Sequence, residues 1–250
     1  MFFDLNIVYD RADTSNLAET LVTAIRYGYG CVALNLTTSN LTKDDISVIE
    51  TLDLEGALSS QQTGSGASKL SKALEKVDPA LIKEAVARLE ASGKKFQQLK
   101  RVTIEMSQDS QIQSISANNS LLNSFDIVAA QPTTEKLFLA AVQSTEIDII
   151  TFDATKRLNF RIKTATARQA VDNGIMFEIC FKDTLRDPQA RKNAFANAKR
   201  IIEATKGKNV VISSGAKESI LLRAPYDLIN LSHVFGLEAS VARRALSQNP

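Results

Sequence analysis

Histidine is nearly absent from this 250-residue chain, and tryptophan is missing altogether. The one histidine, His233, lies in the apolar, helix-like stretch LINLSHVFGL. Zinc sites and Ser-His-Asp or Cys-His arrangements depend on imidazole, so a single histidine excludes most zinc sites and leaves nucleophilic catalysis dependent on that residue. We interpret His233 as a packing or surface residue rather than a catalytic one.

Cysteine, long apolar runs and glycine-rich loops are also scarce. Cys31 and Cys180 lie in apolar surroundings, which indicates buried thiols in a reducing compartment. The longest apolar runs are strand-sized, and the N-terminus shows no basic region followed by a long apolar stretch, so we expect neither a membrane span nor a secretory signal. Neither a dinucleotide fingerprint nor a GxxxxGK phosphate loop occurs.

The chain does have an uneven distribution of charge. Thr151–Pro250 contain 17 Lys and Arg against 9 Asp and Glu, whereas Met1–Ile150 contain 13 against 19. The near-neutral total of +2 therefore hides a basic second half. Many of these cations follow strand-like runs, and strand–helix folds place their sites at the carboxyl ends of strands. This pattern predicts a surface that binds phosphates.

Short β-branched runs alternate with helical stretches through most of the sequence, and the strands are apolar on successive positions, as parallel strands covered on both faces are. The predicted strands are Phe2–Val8, Cys31–Leu36, Arg101–Met106, Asp126–Ala130, Asp148–Phe152, Ile175–Phe181 and Asn209–Ser213. The predicted helices are Asn16–Tyr27, Ser110–Leu122, Thr133–Ser144, Thr164–Asn173, Asp187–Thr205 and a final pair after Glu218 and Glu238.

Seven βα units predict an α/β fold with one TIM-barrel-like domain over residues 1–250, in preference to an open sheet. An eighth strand would have to come from Arg223–Leu231. That stretch contains Pro225 and could equally begin a helix, so we expect a distorted barrel.

One region interrupts the alternation and is predicted to be an insertion, residues 54–99, between strands two and three. Its first part, 58–71, is small, polar and rich in Gly and Ser, which favours a flexible linker. Asp78 and Pro79 then supply an N-cap and a first-turn proline for an amphipathic helix over about 79–92. Its apolar stripe is expected to pack on the barrel, and binding a partner is the alternative.

Six segments in order carry a resemblance to a known family. They are FDIVAAQPTTEKLFLAA, IDIITFD, NGIMFEICF, LRDPQARKNAF, GKNVVISSGA and RAPYDLINL, with FFDLNIVYD and YGYGCVALNL at the N-terminus. Together they resemble the TIM-barrel-like, thirty-kilodalton protein subunit of ribonuclease P and ribonuclease MRP. Their amino-acid sequences are most similar to those of fungal members. The resemblance covers Met1–Thr51 and Leu99–Leu246 and leaves the insertion outside it.

This family is distantly related to the PHP metallo-phosphoesterases, whose first strand carries a DLHxH-type motif. Here the corresponding residues, 4–8, read DLNIV, so both histidines are replaced. A carboxylate-only Mg2+ site from Asp4, Asp153 and Glu178 is chemically possible. We disfavour it, because inward-facing acids of a barrel are commonly paired with Lys or Arg. The resemblance thus implies a barrel without its ancestral chemistry and with no metal of its own.

The resemblance implies a non-catalytic, RNA-binding subunit of ribonuclease P, which removes leader sequences from precursor tRNA, and of ribonuclease MRP, which processes ribosomal RNA precursors. In both particles the RNA carries out the cleavage with Mg2+, so we expect no cofactor and no catalytic residue in this chain. The implied partners are the catalytic RNA, precursor tRNA through the particle, a small α+β companion subunit and other subunits, in the nucleus and nucleolus and without a membrane.

The expected role is electrostatic, because cations that face crowded RNA phosphates offset their repulsion and release counterions. The candidate RNA-binding residues are Lys156, Arg157, Phe160, Arg161, Lys163, Arg186, Arg191, Lys192 and Arg223. Arg is preferred over Lys because it can donate two parallel hydrogen bonds. Phe160 would stack on a base or fill the barrel mouth. Ser213, Ser214 and Gly215 would present backbone N–H groups to phosphate or form a plain turn.

Two hypotheses from other function classes stay open at this point. One is a PHP-type metal-dependent phosphoesterase with a reduced metal site. The other is a barrel enzyme that acts on phosphorylated metabolites and uses the basic residues as a substrate clamp.

Overall fold

The barrel consists of seven parallel strands that pair in sequence order. A computed structural model describes residues 1–42, 49–52, 69–117, 119–182 and 187–250. The strands are β1 (Phe2–Val8), β2 (Tyr29–Thr38), β3 (Gln97–Met106), β4 (Ile127–Pro132), β5 (Ile149–Ile150), β6 (Met176–Cys180) and β7 (Val210–Ser213). The sheet runs β1-β2-β3-β4-β5-β6-β7, with every neighbouring pair parallel. The predicted α/β barrel is confirmed.

The sheet curls round until its two edges nearly meet. Ile7 of β1 bridges Ala216, just after β7, and the Val8 amide donates to the Ala216 carbonyl at 2.9 Å. Within the described ranges, closure therefore comes from one β-bridge, and no segment there forms an eighth strand. The stretch that could have supplied one begins a helix at Pro225, where the missing N–H of proline costs nothing in the first turn.

Helices cover the outside of the sheet. They are α1 (Leu17–Tyr27), α2 (Lys69–Leu74), α3 (Pro79–Ser92), α4 (Ser110–Ala117), α5 (Asn119–Leu122), α6 (Glu135–Gln143), α7 (Thr164–Asp172), α8 (Pro188–Thr205), α9 (Pro225–Ser232) and α10 (Ala239–Ser247). Two 3-10 turns, Ser219–Leu221 and His233–Phe235, precede and follow α9. None of the helices in the described ranges is long and apolar enough to cross a membrane.

The chain between β2 and β3 is more ordered at its end than the sequence suggested. Residues 69–71, which we assigned to a flexible linker, begin α2, and Leu70 in that helix is buried. An apolar side chain that packs in the core fixes the backbone around it, so the linker prediction was wrong for these three residues. Positions 58–68 lie outside the described residues.

The amphipathic helix α3 has the predicted bounds and packs against α1. Asp78 caps it by accepting from the Ala80 amide at 2.8 Å. Arg26 of α1 pairs with Glu84 at 2.7 Å, and Arg88 donates to the Arg26 carbonyl at 2.6 Å. Ile82 and Ala85 of the apolar stripe are buried in the core, so the stripe faces the barrel. The assignment of 54–99 as an insertion stays a prediction.

Candidate nucleic-acid interface

The loop after β5 carries five of the nine candidate residues and is held in place by α8. Asn193 donates to the Thr155 carbonyl and Asn197 to the Lys156 carbonyl, each at 2.7 Å. Asn197 also accepts from the Leu158 amide at 3.1 Å. Because Asn197 is buried and bonds the loop twice, the loop backbone is fixed against the helix.

This clasp brings the β5 loop and the start of α8 to one side of the barrel. Three exposed cations on these two elements, Arg157, Arg161 and Lys192, form no side-chain hydrogen bond or ion pair with the described part of the chain. A cation without an acidic partner keeps its full attraction for an incoming phosphate. We call these three residues the basic surface.

Two further candidates on the loop are paired but exposed. Lys156 lies 3.0 Å from Asp153, and Lys163 lies 2.8 Å from Glu135. The lysine side chains are 82% and 67% exposed, so these pairs are weak and can exchange for a phosphate at little cost. Arg191, exposed on the first turn of α8, already interacts within the chain.

Phe160 packs in an aromatic cluster and is half-buried. Its ring centroid lies 5.6 Å from Phe138 and 6.1 Å from Phe152. This agrees with the alternative in which Phe160 fills space at the barrel end, since much of the ring is covered. Its remaining exposed part lines a cleft of about 440 Å³ between the loop and α8.

The structure removes Arg223 from this surface and leaves Arg186 undecided. The Arg223 carbonyl accepts from the Tyr29 hydroxyl, and Tyr226 stacks edge-on against Phe2 at 5.4 Å. Both partners stand at the amino ends of β2 and β1, opposite the strand ends that the β5 loop follows. The Arg223 guanidinium donates to carbonyls of its own turn, so it serves as a local cap. Arg186 lies outside the described residues.

The turn after β7 is also not a phosphate site. The Ser214 amide donates to Asp4 at 3.0 Å, and the Ser213 hydroxyl donates to Glu178 at 2.7 Å. Gly215 has a positive φ of 63°, and a Cβ there would collide with the Cys180 sulfur. All of these groups are buried and used internally, so the segment is the plain tight turn that we gave as the alternative.

The barrel interior holds a buried polar network centred on an ion pair. Arg101 on β3 donates to both Glu178 oxygens on β6, at 2.5 and 2.8 Å, and both side chains are fully buried. Arg101 also donates to the Leu5 carbonyl at 2.7 Å. Asn6 lies 3.3 Å from Glu178 and accepts from Asn35 at 2.7 Å. Asn6, on the first strand, is thus a member of this network.

The two buried carboxyls respond to this environment in opposite ways. Burial would raise the pKa of Glu178, but the Arg101 charge and the hydrogen bonds from Arg101 and Ser213 hold it below its usual value. For Asp4, burial outweighs the hydrogen bonds from Ser214 and Asn6 and raises the pKa. One Asp4 oxygen, Oδ2, is buried without a hydrogen-bond partner.

These residues do not fit a metal cluster. The Arg101 guanidinium lies against Glu178, where a bound cation would have to displace it, and Asp153 is engaged by Lys156 and by Thr155. Among the described residues no group of three or more His, Cys, Asp and Glu could hold a metal ion. His233 is exposed in a 3-10 turn, as a surface residue would be.

Sequence reasoning missed several residues that build the site. Arg101 lies in the middle of β3 and offered one signal, since an inward arginine in a barrel needs an acid. Asn193 and Asn197 of α8 gave no such signal, because an amide in a helix is ordinarily solvated and nothing local indicates that it binds a loop.

Comparison with known proteins gives a consistent result. The model of the family described as RNase P subunit p30 matches residues 1–250, including the stretch 54–99 that we expected to lie outside the resemblance. Protein GAMETOPHYTE DEFECTIVE 1 of Arabidopsis thaliana is 32% identical over 99% of this chain and 42% of its own length. Ribonuclease P protein subunit drpp30 of Dictyostelium discoideum is 31% identical over 100% of this chain and 62% of its own.

A third relative and a solved structure extend the comparison. Ribonuclease P/MRP protein subunit RPP1 of Saccharomyces cerevisiae is 25% identical over 98% of this chain and 77% of its own length. A chain in the cryo-EM structure of archaeal ribonuclease P with mature tRNA has the same fold, with a TM-score of 0.60 and 19% identity over 97% of this chain and 86% of that chain.

This chain spans about half the length of the first two relatives, 42% and 62%. The family match nevertheless covers all 250 residues. These include the whole seven-strand barrel and the Arg101–Glu178 pair in its interior. The chain therefore belongs to the RNase P subunit p30 family.

Proposed function

We propose that this chain is a non-catalytic, RNA-binding subunit of ribonuclease P. The observation that carries the proposal is the family match over the whole chain. The three unpaired cations of the basic surface support it, because Arg157 and Arg161 stand on a loop that α8 holds in place and Lys192 stands on α8 itself. A rigid set of cations binds a folded RNA with little loss of side-chain or loop entropy.

The barrel interior supports the non-catalytic part of the proposal. Phosphodiester cleavage needs a positioned metal or a general base. In the described residues the inward carboxyl Glu178 is engaged by Arg101, and Asp4 lies fully buried where substrate has no access. Neither group reaches the basic surface, so the chain's contribution there is binding.

The finer parts of the function rest on relatives. The yeast relative is named as a subunit of both ribonuclease P and ribonuclease MRP. We infer that this chain serves both particles, in the nucleus and nucleolus, with the catalytic RNA and a small α+β subunit as neighbours. Mg2+ would then act with the RNA and not with this chain.

Purification of the native particle through this chain tests the proposal. The tagged chain is expected to co-purify one or two abundant structured RNAs and an activity that matures precursor tRNA. Sequencing of the bound RNA identifies the particle, and one RNA in place of two would limit the assignment to a single particle. Recovery of the chain without any structured RNA would contradict the proposal.

A further inference from the structure

The cleft beside the basic surface shares Arg161 with it, and its other lining residues are not part of that surface. It lies between the β5 loop and the helices α7 and α8 and has a volume of about 440 Å³, in the range of small-molecule sites. Nine residues line it: Leu158, Asn159, Phe160, Arg161, Ile162, Thr164, Arg200, Glu203 and Ala204.

One wall of the cleft is an aromatic ring that the protein already holds in place. Phe138 and Phe152 pack against Phe160 and fix its position, while the half-buried ring keeps a part that faces the cleft. A fixed aromatic ring at the edge of an RNA-binding surface suits stacking of an unpaired base, because it loses no side-chain freedom when the base binds.

The polar groups of the cleft differ from those of a phosphate site. Glu203 is the one acid among the lining residues, its side chain is 64% exposed, and its nearest cation is Lys199 at 4.0 Å. A carboxylate repels phosphate but accepts hydrogen bonds from the edge of a base. Beside it, Arg200 uses Nη1 to hold the Leu158 carbonyl at 3.0 Å and has further N–H donors.

A carboxylate with two acceptor oxygens beside a guanidinium donor matches guanine best, because guanine alone among the four bases offers two neighbouring donors next to an acceptor. Guanine presents the O6 acceptor next to the N1–H and N2–H donors, whereas adenine presents a single donor next to an acceptor nitrogen. We propose that the cleft binds one unpaired guanine of the RNA, which stacks on Phe160, donates to the Glu203 carboxylate and accepts from Arg200. Arg161, at the rim, contacts the adjoining phosphate. This inference rests on the proposed function, since it supplies a base contact to an RNA-binding subunit.

Short RNAs with a single variable base test this inference on the full chain. Nine-nucleotide oligouridines that carry a central guanosine, adenosine or inosine are titrated by fluorescence anisotropy. The guanosine RNA is expected to bind about tenfold more tightly than the adenosine RNA, which is within the range of a good base contact. The inosine RNA, which lacks the N2 amino group, should bind between the two.

Variants assign the preference to the cleft. Glu203→Gln should reduce the preference for guanosine to less than about twofold, because the amide offers one acceptor in place of two. The matched control is Glu90→Gln, on exposed α3, which should keep the preference. Arg161→Ala should weaken all three RNAs alike. Phe160→Leu, which keeps apolar volume against Phe138, should weaken them without lowering the melting temperature by much.

Equal affinity of the unmodified chain for guanosine and adenosine RNAs would overturn the inference, and so would an undiminished preference in Glu203→Gln. Either result with RNA still bound leaves the proposed function standing. If the chain bound none of the RNAs and no particle RNA co-purified with it, both proposals would be wrong.

Discussion

Arg101 on β3 and Glu178 on β6 face each other across the barrel and form two hydrogen bonds, at 2.5 and 2.8 Å, with both side chains buried. The pair links strands that are three positions apart in the sheet order. Around it, Ser213, Asn6 and Thr103 satisfy the remaining donors and acceptors. The centre of the barrel is thus filled by a structural network.

Breaking this pair should destabilise the barrel strongly. Glu178→Gln leaves Arg101 charged and buried without a counter-charge, and a loss of about 3–5 kcal/mol in the free energy of unfolding is expected. Denaturant unfolding measures it. Arg101→Met and Glu178→Met are also made singly and together. The double variant should lose clearly less free energy of unfolding than the two single variants summed, because neither charge is then left buried without its partner. Additive losses would show that the two residues do not stabilise each other.

The pH dependence of stability should separate Asp4 from Glu178. The pKa of Asp4 is raised by burial, so its contribution to stability is fully present below the unfolded pKa and is lost as pH rises through the folded one. Asp4→Asn, which cannot ionise, should therefore gain stability relative to the unmodified chain as pH rises above the unfolded value of about 4. Glu178 has the opposite sign, since its pKa is lowered and its stabilisation is lost as pH falls.

Urea unfolding of the unmodified chain and of Asp4→Asn at several pH values gives the free energy of unfolding of each against pH. Two parallel curves would contradict the raised pKa of Asp4. Asp227→Asn, at an exposed position on α9, is the matched control and is taken through the same pH series.

The effect of deletions on stability should change at residue 69, where α2 begins. Deletion of 58–68 should shift the melting temperature by only a few degrees, because a Gly- and Ser-rich run has little apolar surface to bury and loop length affects stability weakly. Deletion of 58–71 removes buried Leu70 as well and should cost about 2–5 kcal/mol, as loss of a core leucine does. Equal melting temperatures for the two deletions would show that α2 does not stabilise the fold.

Neutralising the basic surface should weaken RNA binding without unfolding the chain. Replacement of Arg157, Arg161 and Lys192 by alanine should reduce the slope of log affinity against log salt by about 2–3, because each lost phosphate contact removes roughly 0.7–0.9 from the slope. The melting temperature should stay the same, since the three side chains are exposed.

A control with the same change in net charge keeps this result specific. Lys76, Lys83 and Lys94 are exposed on or near α3, away from the β5 loop, and their replacement by alanine should leave the slope nearly unchanged. An equal effect of both triple variants would mean that overall charge, and not the basic surface, controls RNA binding.

The fold could be predicted from the sequence more fully than the site. The strands are short apolar runs and the helices have local start signals, such as Asp187 before Pro188, so both leave a clear local pattern. Four of the predicted cations lie close together because one loop carries them: Lys156, Arg157, Arg161 and Lys163. Arg223 did not, because its position depends on the hydrogen bond from Tyr29, 194 residues away in the chain. Neither the Asn197 clasp nor the pairing of Arg101 with Glu178 leaves a local pattern, since each joins distant segments.

Cleavage of precursor tRNA by the purified chain is the most direct test of the central claim that this subunit binds RNA and does not cut it. The chain is freed of RNA by nuclease and high-salt washing and is incubated with precursor tRNA and Mg2+, with and without the particle RNA and companion subunits. The account predicts no site-specific cleavage by the chain alone, correct cleavage by the full mixture, and impaired cleavage when this chain is omitted. Efficient, site-specific cleavage by the RNA-free chain, abolished by Asp4→Asn or Glu178→Gln variants that remain folded, would contradict it.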